Sequence, residues 1–158
     1  MTRKSFDGRN LRSWLIIGRL ILGAIFVYSA YMKLKAPWIE FASALNGFEI
    51  LPVSMLEPVA KTLPWCELAL GVALISGIWQ RWFALIASLL LTLFFSVMVR
   101  SYAVGLKIDC GCFGPGDELG PKTLARDFSM LTLAVAVTVG SFRTAKRPAP
   151  QPAEAVIA

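Results

Sequence analysis

The chain contains no histidine. Without imidazole there is no His-based nucleophilic triad and no histidine ligation of haem. Cysteine is nearly as scarce, at three residues, so a four-ligand zinc or iron–sulfur site is beyond the chain's own supply. Two-coordinate Cu(I) between thiolates, or a site shared between subunits, stays open on chemical grounds, although no metal is expected. Charge is thin as well. Charged residues make up 16% of the 158, and the run 82–99 contains none. No repeat of fixed period is present. The first apolar run is basic at its start but longer than the roughly 7–15 residues of a signal-peptide core, and no A-x-A site follows it. It is expected to remain as an anchor.

Hydrophobic residues are abundant, at 56%, with a mean hydropathy of +0.64. They gather in long runs, and a run of about 20 apolar residues spans the hydrocarbon core as a helix. Four segments qualify: 13–31, 60–78, 82–99 and 124–142. The fold class expected is therefore an all-α membrane protein, a four-transmembrane-helix bundle over 13–142. A basic cytoplasmic tail (1–12) would precede it, and a Pro-rich disordered tail (143–158) would follow. In the first loop, 32–59, Trp38, Phe41, Leu45 and Phe48 alternate with Glu40, Ser43, Asn46 and Glu49. That spacing predicts a short amphipathic helix at the membrane surface, ended near Asn46-Gly47 or Leu51-Pro52.

Basic residues crowd the termini (Arg3, Lys4, Arg9, Arg12; Arg143, Lys146, Arg147), with Arg81 between the second and third runs. This favours both termini in the cytoplasm of a bacterial inner membrane, with the loops 32–59 and 100–123 in the periplasm. The net charge of +6 then calls for anionic lipid headgroups of the bilayer and no nucleic acid.

The second loop reads Asp109-Cys-Gly-Cys-Phe-Gly-Pro-Gly-Asp117. Glycines permit tight turns and leave the sulfurs of Cys110 and Cys112 accessible. A disulfide across one intervening residue departs from relaxed geometry, and such bonds are oxidising and exchangeable. Thiol–disulfide exchange is the leading chemistry, with a structural staple of the loop as its rival. Cys66 is either a small buried hydrophobe or a resolving thiol for the pair.

Charges inside the apolar runs are costly and usually functional. Arg19 lies roughly 9 Å into the first helix, where it either snorkels or joins an interior polar site. Glu67, in the second helix, needs a partner, and Lys33, Arg100 and Arg126 are nearest in depth. Ser88, Thr92, Ser96 and Arg100 fall on one helical face, either as ordinary interhelical contacts or as the lining of a pocket beneath the cysteines. Asp127 suits the start of the fourth helix. A cation at Arg100 or Arg126 would favour a reactive thiolate in the loop.

Taken together, Arg19-Leu-Ile-Leu-Gly23, Tyr31-Met-Lys-Leu34, Leu63-Pro-Trp-Cys-Glu-Leu68, Asp109-Cys-Gly-Cys-Phe-Gly114 and Arg126-Asp127 resemble the MauE branch of the DoxX-like membrane proteins. The Cys-Gly-Cys-Phe-Gly element is the most specific of these, and Cys66 falls outside the family pattern. The resemblance implies a redox-associated four-helix protein that helps disulfide formation in a periplasmic enzyme. The DoxX side of it implies coupling to a membrane quinone, near Arg19, Glu67, Arg100, Arg126 and Asp127. The expected partners are a periplasmic thioredoxin-like or client protein. The rival reading is a non-catalytic accessory or assembly subunit of a larger membrane electron-transfer complex. A small transporter is a third, without broken helices to support it.

Overall fold

The structure, a computed structural model, describes residues 8–106, 108–111 and 118–145. Residues 1–7 and 146–158 of the expected tails, with Lys107 and residues 112–117 (Cys112 among them), lie outside the described residues. The described residues form five helices: α1 (Gly8–Lys35), α2 (Trp38–Gly47), α3 (Val53–Ser76), α4 (Gln80–Val104) and α5 (Pro121–Ala145). Four of them are long and apolar enough to cross a membrane: α1 from Ser13, α3, α4, and α5 as far as Thr144. Large apolar side chains on their outer faces, such as Leu89 and Leu93, are more than half exposed, as an acyl-chain environment requires.

Antiparallel pairs build the bundle. α1 lies along α3, α4 along α5, and α1 joins the two pairs by packing on α5. Lipid tails are as apolar as leucine, so close approach and dispersion hold such helices together rather than burial from water. Gly23 and Gly71 supply that approach between α1 and α3. A Cβ at Gly71 would sit 2.9 Å from the Gly23 carbonyl oxygen, and one at Gly23 would sit 3.0 Å from that of Gly71. The core draws Leu22 and Phe26 from α1, Leu70 and Leu74 from α3, Ala84 and Ala87 from α4, and Ala134 and Val137 from α5.

The bundle has two unlike ends. At one end lie the 77–79 turn and the start of α1. The turn is made by Gly77 at φ +77° and by Trp79 at φ 44°. At the other end, hereafter the loop end, α2 and the cysteine loop form a cap. The helix expected in the first loop is present as α2, with Phe41 and Leu45 buried and Glu40, Ser43 and Asn46 exposed. Its apolar face packs on Leu56 and Ala60 of α3.

α3 starts seven residues earlier than the hydropathy run implies, despite Pro58 and Pro64 inside it. Each proline removes one backbone donor, which the helix tolerates near its first turns and beside packed neighbours. This moves Cys66 away from the helix end. It is thirteen residues past Val53, roughly 20 Å along the axis.

Candidate functional site

Two polar groupings occupy the loop half of the bundle. The first is a buried ion pair. Lys33, in the last turn of α1, donates to both carboxylate oxygens of Glu67 on α3 at 2.7 Å. Ser29, one turn before Lys33, donates to Glu67 Oε2 at 3.3 Å and accepts from Lys33 Nζ at 3.1 Å. The side chains of Lys33 and Glu67 are 4% and 5% exposed, so water plays little part in solvating either charge. The ring of Phe41 lies 5.0 Å below the ammonium and that of Phe94 lies 5.9 Å from it. Charges this deep persist only when paired and hydrogen-bonded on most of their donors and acceptors, and Ser29 completes that shell. Of the three cations near Glu67 in depth, Lys33 is the one that pairs with it. Sequence reasoning missed Ser29, whose i,i+4 spacing from Lys33 was the available signal.

The second grouping is the cysteine loop. Its ends are tied by a bridge between Asp109 and Glu118, with Leu119 N–H donating to the Ile108 carbonyl at 2.9 Å. Two glycine contacts clamp it onto α2. A Cβ at Gly111 would lie 3.1 Å from Ala44 Cβ, and one at Gly47 would lie 3.0 Å from Ile108. Gly111 also adopts φ +66°, a conformation that other residues rarely take. Cys110 is buried against Phe48 and Met98, with Ile108, Leu119 and Leu124 around them. Arg126 Nη2 of α5 donates to its Sγ at 3.8 Å, and Arg126 Nε donates to Asp127 Oδ1 at 3.1 Å. Arg126 thus links a sulfur to a buried carboxylate. A guanidinium at this distance stabilises a thiolate over a thiol, while the apolar walls act in the opposite sense.

Lys33 separates two spaces. One is a groove of about 470 Å³ at the loop end, lined by Lys33, Glu40, Phe41 and Ala44, and by Ile108, Asp109 and Gly111, the residues flanking Cys110. The other is an inner cavity of about 50 Å³, where Ser29, Lys33, Glu67 and Asp127 meet an apolar wall of Phe94, Phe95, Met98 and Met130.

The remaining residues singled out from sequence lie elsewhere. Arg19 sits at the opposite end, donating to Gln80 Oε1 at 3.3 Å and to the Ile75 carbonyl at 3.4 Å. It meets the last turn of α3, where a cation complements the helix dipole. Arg100 is exposed near the end of α4. The polar face expected on α4 lines neither the groove nor the inner cavity. Ser88 is buried and bonds Thr138 at 2.8 Å, but Thr92 and Ser96 are exposed and donate to their own helix at 2.7 Å. Cys66 is exposed on α3 rather than buried. The reason is the helical register, which turns its neighbour Glu67 inward and Trp65 and Cys66 outward. Cys112 lies outside the described residues.

These positions also bear on a quinone. Arg19 and Arg100 are not gathered around Glu67. The inner cavity holds about 50 Å³, whereas a cavity of about 150 Å³ is the size that admits a benzene ring. The inner cavity alone is therefore too small for a quinone ring.

A family model, that of methylamine utilisation protein MauE, matches residues 12–140. The chain belongs to the MauE family. That match spans both polar groupings. Among curated relatives, the methylamine utilization protein MauE of Paracoccus denitrificans is 30% identical over 125 residues, covering 77% of this chain and 67% of that one. The MauE protein of Methylophilus methylotrophus is 32% identical over 94 residues, or 59% of this chain and 49% of its own. That of Methylorubrum extorquens is 35% identical over 78 residues, 49% of this chain and 42% of its own. The chain thus spans about half the length of the Methylophilus relative that it matches. No solved structure matches the chain.

Proposed function

We propose that this MauE-family chain is a membrane thiol–disulfide exchange protein. Its loop pair, Cys110 and Cys112, passes a disulfide to or from a periplasmic thioredoxin-like or client protein. The service is maturation of a redox enzyme, in keeping with the methylamine utilization named for its relatives. The observation that carries the reading is the setting of Cys110, whose Sγ receives an Arg126 N–H at 3.8 Å. The residues on either side of it line an open groove of about 470 Å³. A groove of this size admits a short extended segment of a partner protein, and the cation stabilises the thiolate that every exchange step requires.

The exchange balances without an added oxidant. A partner thiolate attacks one sulfur of the Cys110–Cys112 disulfide, and the other sulfur leaves as a thiolate and is protonated. The partner's second thiolate then displaces the remaining loop sulfur. The partner is oxidised by two electrons and the loop is reduced by two; the reverse sequence oxidises the loop. No step runs through a quinone. The reading also puts the loop end in the periplasm and both termini in the cytoplasm of a bacterial inner membrane. The basic terminal residues support that orientation.

A second reading, an accessory or assembly subunit of a larger membrane complex, draws on the burial of Cys110, at 3% exposure. One experiment separates the two. Membranes carrying wild-type or Cys110→Ser/Cys112→Ser protein are quenched with acid and alkylated, and mixed disulfides are identified by mass spectrometry. Exchange predicts partner adducts that vanish in the double variant, with loss of maturation. Undiminished maturation and no adduct would sink it.

A further inference from the structure

The end of the bundle that holds the 77–79 turn, hereafter the turn end, has a surface that disulfide exchange does not use. We infer that the adjoining ends of α4 and α5 bind the phosphodiester of an anionic phospholipid, held by Arg81 and Arg143 beside the rings of Trp82 and Phe142. The site is independent of any chemistry at the cysteine loop.

Two triplets build it, 80–82 at the start of α4 and 141–143 near the end of α5. Gln80 Nε2 donates to Ser141 Oγ at 3.0 Å, and the rings of Trp82 and Phe142 meet edge to face with centroids 6.4 Å apart. These contacts set the two helix ends level with one another. Arg81 and Arg143, each next in sequence to one of the rings, therefore lie at adjoining helix ends, and both are exposed. Gln80 is anchored from α1, because its Oε1 accepts from Arg19 Nη1 at 3.3 Å.

Charge selects the ligand. Among the described residues, every carboxylate falls between Glu40 and Glu67 or between Asp109 and Asp127, in the loop half. The turn end holds Arg19, Arg81 and Arg143, and no described carboxylate. In sequence, residues 1–12 add four basic residues against one acidic. Arg81 also stands in the first turn of α4, which has neither an acidic residue nor a side-chain cap. A cation there opposes the helix dipole, and an anion from outside relieves that opposition. Guanidinium groups meet phosphate oxygens through paired N–H bonds. A zwitterionic headgroup would bring an ammonium that meets no described carboxylate here. The lipid preferred is one whose headgroup carries phosphate without a cation.

The surroundings favour a lipid over a free anion. Trp79 and Trp82 are 76% and 60% exposed, and such rings sit at headgroup level. Leu89 on α4 and Val135 and Val139 on α5 continue an exposed apolar surface from the rings into the bilayer, where acyl chains can lie. In the proposed orientation this end meets the cytoplasmic leaflet, whose anionic lipids gather at basic residues beside helix ends.

The test uses purified full-length protein in a nonionic detergent, with bound lipid counted by native mass spectrometry. Dioleoyl-phosphatidylglycerol, dioleoyl-phosphatidylcholine and inorganic phosphate are titrated in turn. The proteins are wild type, Arg81→Gln/Arg143→Gln, Arg81→Lys/Arg143→Lys, and a control at the loop end, Lys35→Gln/Lys122→Gln. Wild type should retain phosphatidylglycerol over phosphatidylcholine by roughly tenfold, and the glutamine variant should lose that preference. The lysine variant should keep most of it and the control all of it. Equal loss in the control would assign the preference to net charge and overturn the site. Equal retention of the two lipids by wild type, or displacement of phosphatidylglycerol by inorganic phosphate, would overturn it too. A lysine variant that fails as fully as the glutamine one would show that charge does not hold the lipid, and the inference would fall.

Discussion

At the scale of single residues, the two polar groupings differ in what their charges do. Lys33 and Glu67 neutralise each other completely, with Ser29 filling the remaining valences. Removing one partner leaves an isolated charge in an apolar interior, a loss of about 3–5 kcal/mol. Lys33→Met or Glu67→Leu alone should therefore unfold at markedly lower denaturant in mixed micelles. The pair Lys33→Met/Glu67→Leu should recover most of that loss. Equal loss in single and double variants would contradict the account.

Arg126 is different, because under the proposed exchange its contact with Cys110 would meet a charge that comes and goes on the sulfur. A charge-assisted bond of roughly 1.5–3 kcal/mol corresponds to a 10- to 150-fold slower exchange in Arg126→Met, measured by stopped flow with a dithiol peptide. Lysine at position 126 should recover part of the rate. The residue scale is also where the sequence said least. Glu67's need of a partner was legible from its depth, but three cations were eligible, and only three-dimensional packing selects Lys33. The outward turn of Cys66 follows from the register of α3, which buries its neighbour Glu67.

At the scale of elements, hydropathy marked all four long helices and amphipathic spacing marked α2. What sequence could not supply was how α2 and the cysteine loop meet. They meet through glycine: Gly111 against Ala44, and Gly47 against Ile108. Gly111→Val would need both a left-handed backbone, an outlier for a β-branched residue, and space that Ala44 already fills. It should detach the loop from α2 and raise the alkylation rate of Cys110 in folded protein; an unchanged rate would count against the clamp. Along α1 and α3, a leucine at Gly71 would force apart two backbones now in contact. Overpacking of that kind costs about 1–3 kcal/mol, read as earlier unfolding of the whole bundle.

At the scale of the whole molecule, the bundle is asymmetric along its axis. One end is closed by the Arg19–Gln80 contact at the short turn after α3. The other carries the buried ion pair, the groove and the cysteine loop. The proposed exchange therefore takes place at one end of the bundle, on one side of the membrane. A membrane-impermeant thiol reagent applied to intact spheroplasts should label Cys112 in the Cys66→Ser/Cys110→Ser protein. Labelling confined to inverted vesicles would reverse the orientation.

The most direct test of the account is a count of sulfhydryls. Purified full-length Cys66→Ser protein, with its loop pair oxidised, is mixed with a stoichiometric dithiol peptide, quenched and alkylated. Exchange predicts two new alkylated thiols, at Cys110 and Cys112, for each peptide disulfide formed, and no transfer in the Cys110→Ser/Cys112→Ser variant. An oxidised pair that gains no thiols while the peptide stays reduced would contradict it.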